Sequence, residues 1–188
     1  GHLRLLEAAD GTPVPLPVDV RASGKLAFHP DGRRLLGNLQ VSGGKTGLAW
    51  IDLASGAITQ VLDPPRSVRR VSLSHDGKWI AFVTVQDVSG EQGGNNGPQA
   101  DLWKVAAEGG EPEKIVRFPA HIYDTYWAAD DESLIVSTDL GGAHYDLWQV
   151  PLEEPMKLAR KLTFGQADEE DPSTSSDGRW LVYTDNRE

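Results

Sequence analysis

Apolar and polar residues alternate along this chain in short runs that break at Asp-Gly or other turn pairs. Four segments share the pattern. They are Lys25-Leu-Ala-Phe-His-Pro-Asp-Gly-Arg-Arg-Leu-Leu36, Arg70-Val-Ser-Leu-Ser-His-Asp-Gly-Lys-Trp-Ile-Ala81, Thr125-Tyr-Trp-Ala-Ala-Asp-Asp-Glu-Ser-Leu-Ile135 and Pro172-Ser-Thr-Ser-Ser-Asp-Gly-Arg-Trp-Leu-Val182. Alternation with period two marks a half-buried strand. Asp-Gly between two such runs favours a tight hairpin, because glycine adopts positive φ without steric cost. The turn aspartates Asp31, Asp76, Asp130 and Asp177 are spaced by 45, 54 and 47 residues. The long spacing contains a Gly/Asn-rich insert, Ser89 to Pro98, and without those ten residues it becomes 44.

Each repeat carries three further elements. A second strand follows the turn, at Trp79–Val85, Leu134–Thr138 and Trp180–Thr184. A third strand is predicted at Leu48–Leu53, Leu102–Val105 and Leu147–Val150, and a fourth at Ile58–Leu62, Lys114–Phe118 and Ala159–Phe164. No segment sustains helical periodicity over 12 residues. Four short antiparallel strands in a unit of about 45 residues describe a β-propeller blade. Radial stacking covers sheet faces that one blade cannot bury alone. The fold class is therefore all-β, with about four blades' worth of sheet. The predicted divisions are a half blade at 1–20, blades at 21–65, 66–119 and 120–166, and a half blade at 167–188. Leu3–Gly11 aligns with a third strand and its turn, and Val14–Val18 with a fourth. The two half blades either pair to close a four-bladed ring or are the ends of an arc from a larger ring. The last residues, Asp185–Glu188, read as a cut within a loop and favour the arc. Trp79 with Trp180, and Trp103 with Trp148, hold equivalent places and are expected to pack between blades.

Composition narrows the function. Acidic residues outnumber basic ones, 28 to 18, giving a net charge of -10 and arguing against a nucleic-acid partner, which needs a basic stripe. No cysteine is present, which removes disulfides, thiolate metal sites and cysteine nucleophiles. No apolar run is long enough for a membrane-spanning helix, so membrane insertion is not expected.

The repeat resembles the TolB-like (PD40, WD40-like) β-propeller family, whose repeat is summarised as W-S-P-D-G. The match is clearest in Leu162-Thr-Phe-Gly165 followed by Asp171 to Tyr183. It recurs in His29-Pro-Asp-Gly32, in Ser74-His-Asp-Gly77, and in the third-strand pairs Asp101-Leu-Trp103 and Asp146-Leu-Trp148. The motif tryptophan is kept only at Trp127, with Phe28, Leu73 and Thr174 in its place elsewhere, and Asp130-Asp131 replaces Asp-Gly. The resemblance implies a six-bladed ring in most members and a periplasmic or secreted setting. It also implies a role as a stand-alone binding protein or as the propeller portion of a larger hydrolase, such as an amidohydrolase, a prolyl oligopeptidase or a tricorn-like protease. Thr163–Asp168 and Tyr183–Arg187 look most like propellers that precede metal-dependent hydrolases.

The candidate chemistry gathers on one face. His121 precedes the first strand of the third full blade, and His144 lies in that blade's second-to-third strand loop with Asp139 nearby. In propellers these loops surround the mouth of the central channel. The acidic run Gln166–Asp171 belongs to the same face. Asp168, Glu169 and Asp171 are calcium-competent oxygen donors, and paired carboxylates also serve glycosidases. The plainer reading is a solvated acidic loop, with no metal or other cofactor. The inner-strand starts offer Arg69, Asp124 and Asp171, mixed in sign. Arg66, Arg69 and Arg70 either grip an anionic group at the channel mouth or pair with acidic neighbours. His29 and His75 read as turn residues. Ser42-Gly-Gly-Lys-Thr46 is not a phosphate loop, because Leu39 stands where its first glycine belongs. The insert Gly90–Gln99 is expected to be mobile and exposed. No Gly-x-Ser-x-Gly elbow occurs.

These residues predict a non-catalytic platform for protein interaction or substrate gating, whose partner is another protein or an attached hydrolase domain. The alternative is a small-molecule or carbohydrate site, binding or hydrolytic, at the channel mouth.

Overall fold

The computed structural model describes residues 1–41, 46–62, 68–85, 100–175 and 177–186. Three sheets have four strands each. The first is β3 (Val20–Phe28), β4 (Arg34–Val41), β5 (Thr46–Asp52) and β6 (Ile58–Gln60). The second is β7 (Arg69–Leu73), β8 (Trp79–Val85), β9 (Ala100–Ala106) and β10 (Glu113–Phe118). The third is β11 (Ile122–Trp127), β12 (Ser133–Thr138), β13 (Asp146–Pro151) and β14 (Arg160–Lys161). Two hairpins flank them, β1 (Leu5–Leu6) with β2 (Pro13–Val14) and β15 (Asp168–Thr174) with β16 (Leu181–Asn186). A single turn of helix, α1 (Pro155–Leu158), stands just before the last strand of the third sheet. The phosphate-loop lookalike at 42–45, Arg66 and the insert 90–99 lie outside the described residues.

The turn chemistry repeats as the sequence predicts. The Asp31, Asp76, Asp130 and Asp177 carboxylates each accept the backbone N–H two residues on, at 2.7–3.1 Å. The serine of the motif adds a second tie, since Ser74 and Ser175 hydroxyls accept the N–H groups of Trp79 and Trp180. Gly32, Gly77 and Gly178 follow with φ near 70°. Asp131 takes the same left-handed place at φ 52°. Aspartate tolerates that region better than most residues. Here its carboxylate also accepts the His75 and Asp76 backbone N–H groups of the neighbouring sheet, at 2.8 and 2.9 Å. A glycine would fit the turn and lose this tie between sheets.

Packing between sheets follows the period of the second strands. Leu35, Ile80, Leu134 and Leu181 face the preceding element, and Leu36, Ala81 and Ile135 face the following one. Trp103 and Trp148 join these layers, as expected. Trp79 and Trp180 do not. They sit at the strand ends, 36% and 67% exposed, against Lys104 and Arg179.

The first strands β3, β7, β11 and β15 stand side by side along the inner wall. Each carries a register shift against its partner. Such bulges re-aim side chains. Among the described residues the sheets do not close into a ring. The four-bladed closure is therefore corrected, because β1–β2 and β15–β16 form separate sheets. Residues 1–3 instead run along β3, where Leu3 N–H donates to Val20 C=O at 3.0 Å and Ala22 N–H to Gly1 C=O at 2.9 Å.

Candidate functional site

The inner wall brings together residues far apart in sequence. Lys25 on β3 donates to Asp124 on β11 and to the Tyr126 hydroxyl at 3.1 Å, and its ammonium lies 3.5 Å from Asp171 on β15. Asp124 is buried and also accepts the Thr125 N–H at 2.9 Å. Burial pushes its carboxyl up, against the pull of the Lys25 ammonium. Burial opposes the charge on Lys25 as well, yet the bonds and charge attraction of Asp124 and Tyr126 together outweigh it and raise the lysine. The pair is thus a desolvated ion pair, in which each charge depends on the other.

Beside it, the Arg70 guanidinium lies over the Tyr123 ring at 4.7 Å, and Tyr123 packs on Tyr145 with centroids 5.3 Å apart. The negative charge of Glu170 raises the Tyr123 phenol, and burial raises Tyr145. Lys25, Tyr123, Tyr126 and Tyr145 escaped the sequence reading. A signal existed, since three of the four tyrosines of the chain flank this wall.

The predicted site residues divide into three groups. Asp124 and Asp171 meet at Lys25. His121 and Asp139 pair with one another, through backbone N–H to Oδ1 at 2.8 Å and Nδ1 to Oδ2 at 3.1 Å. Asp168 accepts the Tyr145 N–H at 2.9 Å, with His144 Nδ1 3.7 Å from the same oxygen. Arg69 is exposed at the start of β7 and makes no ion pair among the described residues. Among the described residues Arg70 makes one cation–π contact, with Tyr123, and its charge is felt by Asp124.

The acidic run is also corrected. It is not a loop, because Asp168 to Asp171 lie within β15. The strand forms despite its charge because Glu169 and Pro172 are buried, and because Glu169 N–H and C=O bond Tyr145 C=O and the Ser137 hydroxyl. Strand geometry separates neighbours onto opposite faces. Asp168 is engaged at Tyr145 and Asp171 at Lys25, so the three calcium candidates do not converge. Among the described residues no group of three or more His, Asp or Glu is placed to hold a metal ion. An open groove of about 870 Å³ runs past His144, Phe164 and Asp168, but it adds no further charged partner.

The third-strand aspartates have a structural role. Asp101 is buried and accepts from Lys114 and Arg117, each at 2.9 Å. Asp146 is held by Lys161 at 2.6 Å. Burial raises the Asp101 carboxyl, but Arg117 and Lys114 outweigh it and the net shift is downward. At the exposed turn, Lys78 and Ser74 hold Asp76 down to about 2. A carboxyl depressed in the folded state adds stability above its unfolded value, lost as pH falls through the folded one. The urea midpoint should therefore drop between pH 4 and pH 2, and Asp76→Asn should flatten that drop. An identical profile for the variant would rule the turn out as its source.

No protein-family model matches the chain. The uncharacterized peptidase YuxL of Bacillus subtilis (strain 168) is 26% identical over 148 residues, which covers 60% of this chain and 21% of that protein. A putative TolB from Agrobacterium tumefaciens superposes with a TM-score of 0.77 at 15% identity, covering 97% of this chain and 62% of that one. The fold is a TolB-like β-propeller. Two further solved structures share the fold. Oligogalacturonate lyase from Vibrio parahaemolyticus gives a TM-score of 0.68 at 15% identity, covering 96% of this chain and 51% of that one. A puromycin-hydrolyzing peptidase of Mycobacterium tuberculosis gives 0.65 at 18%, covering 97% and 31%. At these identities the likeness is one of fold. The chain spans about a fifth of YuxL and less than two thirds of each of these structures.

Proposed function

We propose that this TolB-like arc is a non-catalytic platform for protein interaction or substrate gating, working beside a hydrolase domain or a separate protein. One observation carries the reading. Three candidate carboxylates of the inner wall and its rim are engaged in structural contacts: Asp124 on Lys25, Asp139 on His121, and Asp168 on the Tyr145 N–H. A glycosidase needs two carboxyl groups facing one bond, with one free to ionise and one to donate. A nucleophilic hydrolase needs a nucleophile beside an oriented base. Asp124 and Asp171, the two that come together, do so across the Lys25 ammonium. What the wall offers is a pair of tilted, packed tyrosines, fixed cations and a rim of loops, which suit recognition. The likeness to YuxL, a protein named as a peptidase, supports placing that recognition next to peptide hydrolysis.

The test is a paired assay on the chain as it stands. Peptides and oligogalacturonides are screened for binding by calorimetry and for turnover by mass spectrometry. Peptide binding without cleavage is expected. Cleavage that Asp171→Asn abolishes, while the melting temperature holds, would replace the platform with a catalytic wall.

A further inference from the structure

A cleft of about 430 Å³ opens between β3 and β7, lined by Ser23, Gly24, Lys25, Asn38, Arg69 and Arg70, with Val68 and Val71 beside them. Among the described residues no carboxylate lines it, in a chain whose net charge is -10. Its charged groups are all cations, and its side-chain polar groups are N–H and O–H donors apart from the Asn38 carbonyl. Asn38 donates to Val68 C=O at 3.3 Å and so ties β4 to the residue just before β7.

The backbone builds this convergence. Residues 69 and 70 of a regular strand would point to opposite faces. Here the register shifts between Arg69 and Ser72, and Arg70 takes φ 54°. Both arginines consequently line the same cleft. That conformation costs a non-glycine residue about 1 kcal/mol or more, and it recurs at Asp171 in the bulge of β15. Opposite, β3 shifts register between Ser23 and Ala27, with Gly24 at φ 73° and open space where a Cβ would stand. Two bulges thus face each other across the cleft. The Arg70 guanidinium is held over Tyr123, and Lys25 is neutralised by Asp124. Arg69 and Arg70 make no ion pair among the described residues, and the Arg70 charge is felt by Asp124 across the wall.

We infer that this cleft binds a carboxylate of a peptide, with Arg69 and Arg70 as its cationic jaws. The inference rests on the recognition reading above and names its ligand chemistry. Guanidinium–carboxylate bonds are charge-assisted and are strongest where the cation is already oriented, as stacking orients Arg70. The carboxylate comes from acidic side chains or from a chain terminus.

The test uses three fluorescent peptides: amidated pentaglutamate, pentaglycine with a free C-terminus, and amidated pentaglutamine. Anisotropy titrations are run on the wild-type chain and on Arg70→Gly, Arg69→Gln and Arg33→Gln. Arg33 is exposed and does not line the cleft. One or both carboxylate peptides should bind, more weakly as salt rises, and which one binds identifies the source. Either cleft variant should cost about tenfold or more in affinity, and Arg33→Gln should cost little. Arg70→Gly should not lower the melting temperature, because glycine adopts its φ freely, so lost binding would not reflect unfolding. Three results overturn the cleft: pentaglutamine bound as well as pentaglutamate, equal losses in Arg33→Gln and Arg70→Gly, or no binding of any peptide. In the first, peptide recognition itself survives. In the last, its fate is decided by the separate binding and turnover screen.

Discussion

Replacing Trp127 by alanine is expected to lower the stability of the chain by about 4 kcal/mol, among the largest effects of any single truncation here. Trp127 is the one motif position that keeps its tryptophan, and it is 1% exposed. Its indole N–H donates to Ser72 C=O at 3.1 Å, and its backbone N–H to the Ser72 hydroxyl at 3.2 Å, so β11 is fastened to β7 at the inner wall. On its other side the Thr174 hydroxyl reaches Trp127 C=O at 3.4 Å and brings in β15. Alanine would open a cavity where three inner strands meet and leave the Ser72 carbonyl without its indole donor. Trp127→Phe keeps most of the volume and loses the indole bond, so its cost should be about 1–2 kcal/mol. With a urea slope of about 2 kcal/mol/M, the alanine variant should unfold about 2 M earlier. A midpoint change below about 0.5 M would mean that the strands are held together by other contacts.

The motif shows what a single repeat reveals and what it hides. Its Asp-Gly and serine positions act within one hairpin, through bonds such as Ser74 to Trp79 and Asp31 to Arg33, so local sequence was enough to place them. The buried layers were legible for the same reason, because Ile80, Ala81 and Leu134 obey the period of their own strands. The inner wall was not. Lys25 looks like an ordinary polar residue at a strand start, and its partner lies 99 residues later. Only the stacking of blades brings the two together. The acidic run misled for a different reason. Asp168 to Asp171 have low strand propensity, and tertiary bonds from Tyr145 and Ser137 impose the strand on them. Arg69 and Arg70 were visible as a pair of charges. Their shared cleft depends on a left-handed residue that no side-chain pattern announces.

The pair joining β3 to β11 should reveal itself through the cost of breaking it. Lys25→Met is expected to destabilise the chain by about 3 kcal/mol, the lower part of the range for a buried ion pair that loses one partner. The lower part applies because the Lys25 side chain is 34% exposed, whereas that of Asp124 is 1% exposed. Without the ammonium, the Asp124 carboxylate either stays charged in a dry site or takes up a proton. Burial already pushes its carboxyl upward with Lys25 in place. The variant should therefore regain stability as pH falls through the raised carboxyl value, the reverse of the trend expected at Asp76. The double variant Lys25→Met/Asp124→Asn removes both charges and keeps an oxygen for the Thr125 N–H. It should recover most of the loss, with a coupling of about 2 kcal/mol in a urea double-mutant cycle. Additive effects would mean that the two charges are solvated separately and that the wall is not cross-linked at this point. A strong coupling would give the peptide cleft a fixed back wall, since Lys25 lines that cleft on the side away from Arg69 and Arg70 in sequence and is tied to β11 by the same bond.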